Sequence, residues 1–241
     1  MLCPITQWTP GVSKIPCFGT RLAPPRIRMI ITLDRRRPSG VMVKRLALVL
    51  HDRRPIVLPT ETQYALVCDA TSKRAIAAVR AIKGRNPSAP FSVFMPGLET
   101  LSRWRISCPD YAKQLADACW PGPLTLVLPT TNPRFKLLGG DGKSVGVRVT
   151  PELVIAMLLQ YTGTPLVATS ANPSGVVMGA RDENRWLKSL TETGNPVWAK
   201  PERFVRRPAS TIIDCTGKVP RELRPGPISK AEWNAALFGS V

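Results

Sequence analysis

A mixed-sheet domain of the α/β or α+β class is predicted by three features. Short apolar runs recur along the chain, helical apolar spacings fall between several of them, and the runs stop at proline or at small polar residues. A length of 241 residues suits one large core rather than an assembly of domains. With 44% hydrophobic residues there is enough apolar material to fill that core, which argues against a chain disordered throughout.

The first stretch, residues 1–41, carries Pro4, Pro10, Pro16, Pro24, Pro25 and Pro38, the run Arg35-Arg36-Arg37 and a single acid, Asp34. No helical or strand period survives that spacing, so a disordered basic leader is expected. The same composition suits an organelle-targeting segment or an RNA-binding tail, and Met29 and Met42 offer later starts.

The folded domain is expected over residues 42–241. Residues 43–50 fit a short amphipathic helix, 55–60 a buried strand closed by proline, and 64–68 a second strand. Ala75, Ile76, Val79 and Ile82 recur at helical spacing within 72–83. Further strands are expected at 91–95, 124–128, 145–149, 165–168 and 210–214. Residues 151–161 read as a helix with Thr150 as N-cap and Pro151 in its first position. Helices at 182–190 and 229–237 complete the domain, and no internal repeat is apparent.

Lys plus Arg number 34 against 16 Asp plus Glu, a formal net charge of +18. Summed basic charge concentrates anions, so the expected partner is polyanionic: RNA, DNA, nucleotide phosphates or an anionic lipid surface. No apolar run approaches the roughly 18–20 residues that span a bilayer, so a soluble protein is expected. The six cysteines lie scattered, with no Cys-x-x-Cys pair and no histidine cluster to complete a zinc site. They read as reduced thiols of a cytoplasmic compartment.

Several common chemistries lack their residues. Gly142-Lys143-Ser144 looks like the end of a P-loop, but Leu137 stands where its first glycine would fall. There is no Gly-x-Gly-x-x-Gly, His-Glu-x-x-His or Gly-x-Ser-x-Gly. The one histidine, His51, sits in an arginine-flanked turn and reads as a surface residue rather than a catalytic base.

What remains is a set of polar segments that follow strands. Thr60-Glu61-Thr62-Gln63-Tyr64 places hydroxyls where open α/β sheets bind ligands. Lys83-Gly84-Arg85 closes a helix, and its cations also suit the helix dipole with Gly84 as C-cap. Trp120-Pro121-Gly122-Pro123-Leu124-Thr125 reads as a rigid structural turn. Arg148, inside an apolar strand, must reach solvent or an anion, and its planar fork suits carboxylate or phosphate. Thr169, Ser170, Asn172 and Ser174 could bind a ligand or simply build a turn.

In order, Pro-Thr-x-Thr-x-Tyr, Lys-x-Arg, Trp-Pro-Gly-Pro-Leu-Thr, Val-x-Val-Arg, Ser-x-Asn-x-Ser-Gly, Ser-Thr-Ile-Ile-Asp and Leu-Arg-Pro-Gly resemble the YrdC/TsaC family from Met42 to about Pro227. That resemblance implies a twisted mixed sheet flanked by helices, with a large, positively charged concave cleft. It implies synthesis of threonylcarbamoyl-AMP and pyrophosphate from L-threonine, bicarbonate and ATP with Mg2+, for N6-threonylcarbamoyladenosine in tRNA. A downstream threonylcarbamoyl transferase would use the product. By matching positions, Lys83 and Arg85 would be catalytic. Thr62, Arg148 and Ser210 would bind L-threonine, and Arg85, Ser144, Ser170, Asn172 and Arg224 would bind ATP. No resident metal ligand is implied. The sequence departs from the family's pattern at Phe94, where a histidine is common, at Ala89, commonly asparagine, and at Tyr64-Ala65-Leu66-Val67, commonly Tyr-Gly-Leu-Gly. These departures are similar to the YciO branch, so the alternative expectation is a divergent member that binds tRNA, double-stranded RNA or nucleotide without efficient adenylation.

Overall fold

The structure, a computed structural model, describes residues 30–176, 178–192 and 196–239. Ten strands and six α-helices follow one another as β1 (Ile30–Leu33), α1 (Gly40–His51), β2 (Ile56–Leu58), β3 (Ala65–Val67), α2 (Lys73–Lys83), β4 (Ser92–Phe94), α3 (Asp110–Cys119), β5 (Leu124–Pro129), β6 (Ser144–Arg148), α4 (Leu153–Thr162), β7 (Leu166–Ser170), α5 (Ala180–Glu192), β8 (Val197–Pro201), β9 (Thr211–Asp214), β10 (Arg221–Arg224) and α6 (Lys230–Phe238). The strands form one mixed sheet in the order β1-β8-β2-β3-β7-β4-β6-β5-β9-β10. β1 and β2 flank β8 in parallel, β4 runs parallel to β6 and β5 to β9, while the other neighbours are antiparallel.

The two-residue period of the strands sorts their side chains into two cores. Val57, Leu66, Val93, Leu126, Val147 and Ile213 join α2, α3, α5 and α6 in the larger one. Ile56, Leu58, Ala65, Val67 and Phe94 face α1 and α4 in the smaller. No residue of β5, β6, β9 or β10 takes part in that second core. On this face the helices therefore cover one part of the sheet, and the alternate residues of β4, β5, β6, β7 and β9 are left to line an opening.

Most expected elements appear within a residue or two. The 72–83 helix has Ser72 as N-cap, its Oγ accepting from the Ala75 amide at 3.3 Å, and Gly84 closes it at φ 56°, a left-handed conformation that glycine adopts without a Cβ penalty. At α6, Ser229 and Glu232 form a reciprocal capping box.

Three placements differ from expectation. Regular structure reaches back into residues 30–41, because β1 pairs with β8 and α1 starts at Gly40; residues 1–29 of the expected leader lie outside the described residues. α4 begins at Leu153 with Glu152 before it, and Thr150 does not cap it. The Thr150 hydroxyl accepts from the Glu152 amide at 3.4 Å, ahead of the helix, and donates to Glu61 Oε2 at 2.6 Å. Finally, α3, β8 and β10 were not singled out from the sequence. The inward residues Ala112, Leu115 and Ala116 of α3 are mostly small, and β10, Arg221-Glu222-Leu223-Arg224, is a polar edge strand without an apolar run.

Leu158 of α4 is fully buried in the smaller core, away from the opening. Leu158→Ala is expected to cost about 2–5 kcal/mol of unfolding free energy, read by urea denaturation, with ligand binding at the opening unchanged.

Candidate active site

The opening is a cavity of about 300 Å3 lined by residues from every large stretch of the domain, among them Thr62, Arg85, Ser144, Arg148, Ser170, Ser210 and Arg224. Sheet alternation explains how they meet. In β6, Val145 and Val147 point into the larger core while Ser144, Gly146 and Arg148 line the cavity. In β5 the same rule sends Leu124, Leu126 and Leu128 inward and Thr125 and Val127 to the cavity.

At one end, the Thr60 hydroxyl accepts the amides of Thr62 and Gln63 at 3.1 Å each and donates to Gln63 O at 2.6 Å, closing a tight turn. That turn fixes Thr62, whose Oγ1 accepts from Arg148 Nη2 at 2.9 Å. The same nitrogen donates to Glu61 Oε1 at 2.7 Å, so Arg148, only 8% exposed, is held by a carboxylate and a hydroxyl. Its Nε has no partner. The Arg148 guanidinium stands 5.8 Å above the Phe94 ring, its neighbour in the β4–β6 register.

Arg224 crosses from the edge strand to donate to Ser210 O from Nε and Nη2 at 3.1 and 2.8 Å, and to Ser210 Oγ at 3.1 Å. Ser210 Oγ is also 2.9 Å from Thr125 Oγ1. Gly226 makes this crossing feasible, since a Cβ there would lie 2.4 Å from the Thr211 amide nitrogen and 2.5 Å from Ala209 O. Burial, then the charge of Arg148, lowers the Arg224 pKa, so these two cations face the same space.

Arg85 donates to Pro90 O at 2.7 Å, lies 5.0 Å over the Phe91 ring, and keeps its buried Nε unpartnered. Burial and then Arg80 lower its pKa. Lys83, expected beside it as a catalytic residue, does not line the cavity. Its ammonium is buried and donates to the carbonyls of Ser170 and Asn172 at 2.5 and 2.6 Å, and its own carbonyl accepts from the Ser174 amide. Lys83 therefore ties the 170–174 loop to the end of α2 and presents Ser170 to the cavity. Asn172 is also absent from the lining; its Nδ2 donates to Val176 O, inside the loop.

The sequence reading missed Glu61 as the counter-ion of Arg148 and Thr125 as the partner of Ser210. A lone acid inside a hydroxyl-rich segment is the available signal for Glu61. Thr125 carried none, because its Trp-Pro-Gly-Pro setting reads as structural. His51 has a side chain 86% exposed beside Asp52, as expected for a surface residue. Ala89 is turned to Arg80, which donates to its carbonyl at 3.0 Å, and does not line the cavity. No group of three or more His, Cys, Asp and Glu among the described residues could hold a metal ion.

Burial first, then Arg85, pushes the Lys83 pKa down to about 8, against roughly 10.4 in an unfolded chain. Between these values the unfolded chain binds a proton that the folded one has released. The burial penalty of this group is therefore fully present below about pH 8 and lifts as the pH rises towards 10. Relative to Lys83→Met, the wild-type unfolding free energy is expected to increase between pH 7.5 and about 10 in urea titrations.

Comparisons with known proteins place the fold in a family. The family model described as "Telomere recombination", Sua5_yciO_yrdC, matches residues 49–226. A Halorhodospira halophila protein named threonylcarbamoyl-AMP synthase is 33% identical over 197 residues, covering 81% of this chain and 93% of its own length. P. abyssi Sua5 complexed with L-threonine superimposes with a TM-score of 0.76 at 27% identity. The match covers 88% of this chain but 61% of that one, so the chain spans less than two-thirds of that relative. E. coli YciO gives a TM-score of 0.70 at 25% identity, covering 82% of this chain and 94% of that one. A family match over most of the chain, joined to the same fold in both neighbours, shows that this chain belongs to the Sua5/YciO/YrdC family.

Proposed function

We propose that this chain is an L-threonylcarbamoyladenylate synthase, a nucleotidyltransferase that joins L-threonine, bicarbonate and ATP into threonylcarbamoyl-AMP and pyrophosphate. The observation that carries the reading is the convergence of Thr62, Arg85, Ser144, Arg148, Ser170, Ser210 and Arg224 on one cavity. Relatives carrying the synthase name and a structural neighbour bound to L-threonine support it.

In this reading the Thr62, Arg148 and Ser210 end takes the amino acid, with the Arg148 fork on its carboxylate. Arg85, Ser144, Ser170 and Arg224 face the nucleotide, and Lys83 and Asn172 hold the Ser170 loop. The threonine amine adds to CO2 derived from bicarbonate and loses a proton, giving a carbamate. A carbamate oxygen then attacks the α-phosphorus, the bond to the bridging oxygen of the β-phosphate breaks, and pyrophosphate leaves. The protein contributes alignment of the two reactants and cations placed against the charge of the phosphates. Magnesium belongs to the nucleotide substrate, where it offsets phosphate charge. The product serves a transferase that modifies tRNA. The four described cysteines, Cys68, Cys108, Cys119 and Cys215, are free thiols, which suits a reducing, cytoplasmic setting. No helix among the described residues is long and apolar enough to cross a membrane.

Phe94 in the cavity wall favours one second reading, a YciO-like member that binds nucleotide or RNA without adenylation. The two separate in one experiment. Purified protein with ATP, bicarbonate and L-threonine is expected to release pyrophosphate in a threonine-dependent manner. Arg85→Ala is expected to lower kcat/KM by about 100-fold, and Ser170→Ala to lower it as well. Protein that binds ATP yet releases no pyrophosphate on addition of threonine defeats the synthase reading.

A further inference from the structure

Arg35 stands upstream of the residues that the family model matches, outside the cavity, yet it joins three segments around the Thr62 end. β1 and β8 run in parallel with Leu33 opposite Pro201, so residues 34–35 and the connection that leaves β8 emerge side by side. Arg35 Nε donates to Glu152 Oε2 at 3.1 Å and Nη2 donates to Glu152 Oε1, a two-pronged grip on a carboxylate whose side chain is 7% exposed. Nη2 also reaches Thr60 O at 3.4 Å, the carbonyl of the residue whose hydroxyl closes the Thr60–Gln63 turn. The third contact is aromatic: the guanidinium lies 5.8 Å from the Phe204 ring centroid.

Phe204 belongs to residues 202–210, which join β8 to β9 without regular structure. Its ring stacks on Tyr64 with centroids 4.0 Å apart. Further along, the Arg207 amide donates to Thr62 O at 2.7 Å, and Ala209 and Ser210 line the cavity. A segment without ladder bonds of its own is thus laid against Thr62 and Tyr64, and its aromatic anchor is backed by a guanidinium fixed on a buried acid.

The geometry points to Arg35 as a positioning residue: by gripping Glu152, the Thr60 carbonyl and Phe204 together, it holds residues 202–210 against Thr62 and so fixes the amino-acid end of the cavity. It does not line the cavity. Its role in turnover rests on the Thr62 end being the threonine subsite, whereas its hold on the segment does not.

Two full-chain variants separate these levels. Arg35→Lys keeps a charge opposite Glu152 but loses the fork and the broad face toward Phe204. Arg35→Met combined with Glu152→Gln removes the grip without leaving a buried charge unpaired, and covers the case in which the first variant folds poorly. Trypsin cleavage after Arg203 and Arg206 reports release of the segment. The threonine KM is expected to rise about fivefold or more while the ATP KM stays within about twofold, with the melting temperature unchanged and cleavage accelerated. Unchanged cleavage in both variants overturns the proposal. So does faster cleavage with an unchanged threonine KM, or an equal rise in both KM values, which marks a general loss of structure. A wild-type protein without threonine-dependent turnover defeats the synthase reading instead, and cleavage alone then decides whether Arg35 holds the segment.

Discussion

The site depends on three arginines gathered around a single carboxylate, Glu61, on a sheet face that the helices leave open. Because α1 and α4 cover only the β1-to-β4 side, the alternate residues of β5, β6 and β9 escape the core, and the chain uses those places for hydroxyls and for Arg148. Arg85 and Arg224 arrive from outside the central strands. Burial lowers the pKa of both, and Arg148 adds to the lowering at Arg224. Charges that are partly desolvated and close together disfavour one another, and the buried Nε groups of Arg85 and Arg148 lack acceptors. An anion beside these groups relieves both costs at once.

The distribution of counter-ions divides that site. Arg148 has Glu61 at 2.7 Å and is largely balanced before anything binds. Arg85 and Arg224 donate to uncharged oxygens, those of Pro90 and Ser210. A zwitterion carries one carboxylate and no net charge, and the balanced Glu61–Arg148 end suits it. A triphosphate is a polyanion, and on the proposed reading the unbalanced cations Arg85 and Arg224 suit that. The same acid accepts from the Thr150 hydroxyl, so one side chain sets the charge of that end and also ties it to the residues that precede α4.

How much of this was legible in the sequence differs by kind. Strands such as residues 124–128 and helices such as 72–83 were readable because their periods are local and their ends carry caps or proline. β1 was hidden because Ile30–Leu33 is a four-residue edge strand amid prolines and arginines, stabilised by pairing with β8 more than 160 residues later. Among site residues, Thr62, Arg85, Arg148, Ser170, Ser210 and Arg224 could be named from motifs and do meet. Lys83 shows the limit of that approach. A lysine two residues before a cavity arginine looks equally exposed to ligand, but helical geometry turns it towards the 170–174 loop, where two carbonyls take its ammonium. A motif gives which residues matter; the direction of each side chain comes only from the packing around it.

Phe94 bears on the chemistry through what it leaves out. The β4–β6 register sets it beside Arg148, and alternation sends its ring into the core shared with Val154, Leu158 and Leu166, where it is 1% exposed. A phenyl ring there keeps that core apolar and offers its face to the guanidinium above. It also leaves the cavity lining without a histidine, since His51 is at the surface beside Asp52. On the proposed reaction, the proton lost when the threonine amine becomes a carbamate is therefore not taken by an imidazole. The protein's part is then confined to alignment and charge, which is the work for which three arginines and a set of hydroxyls are suited.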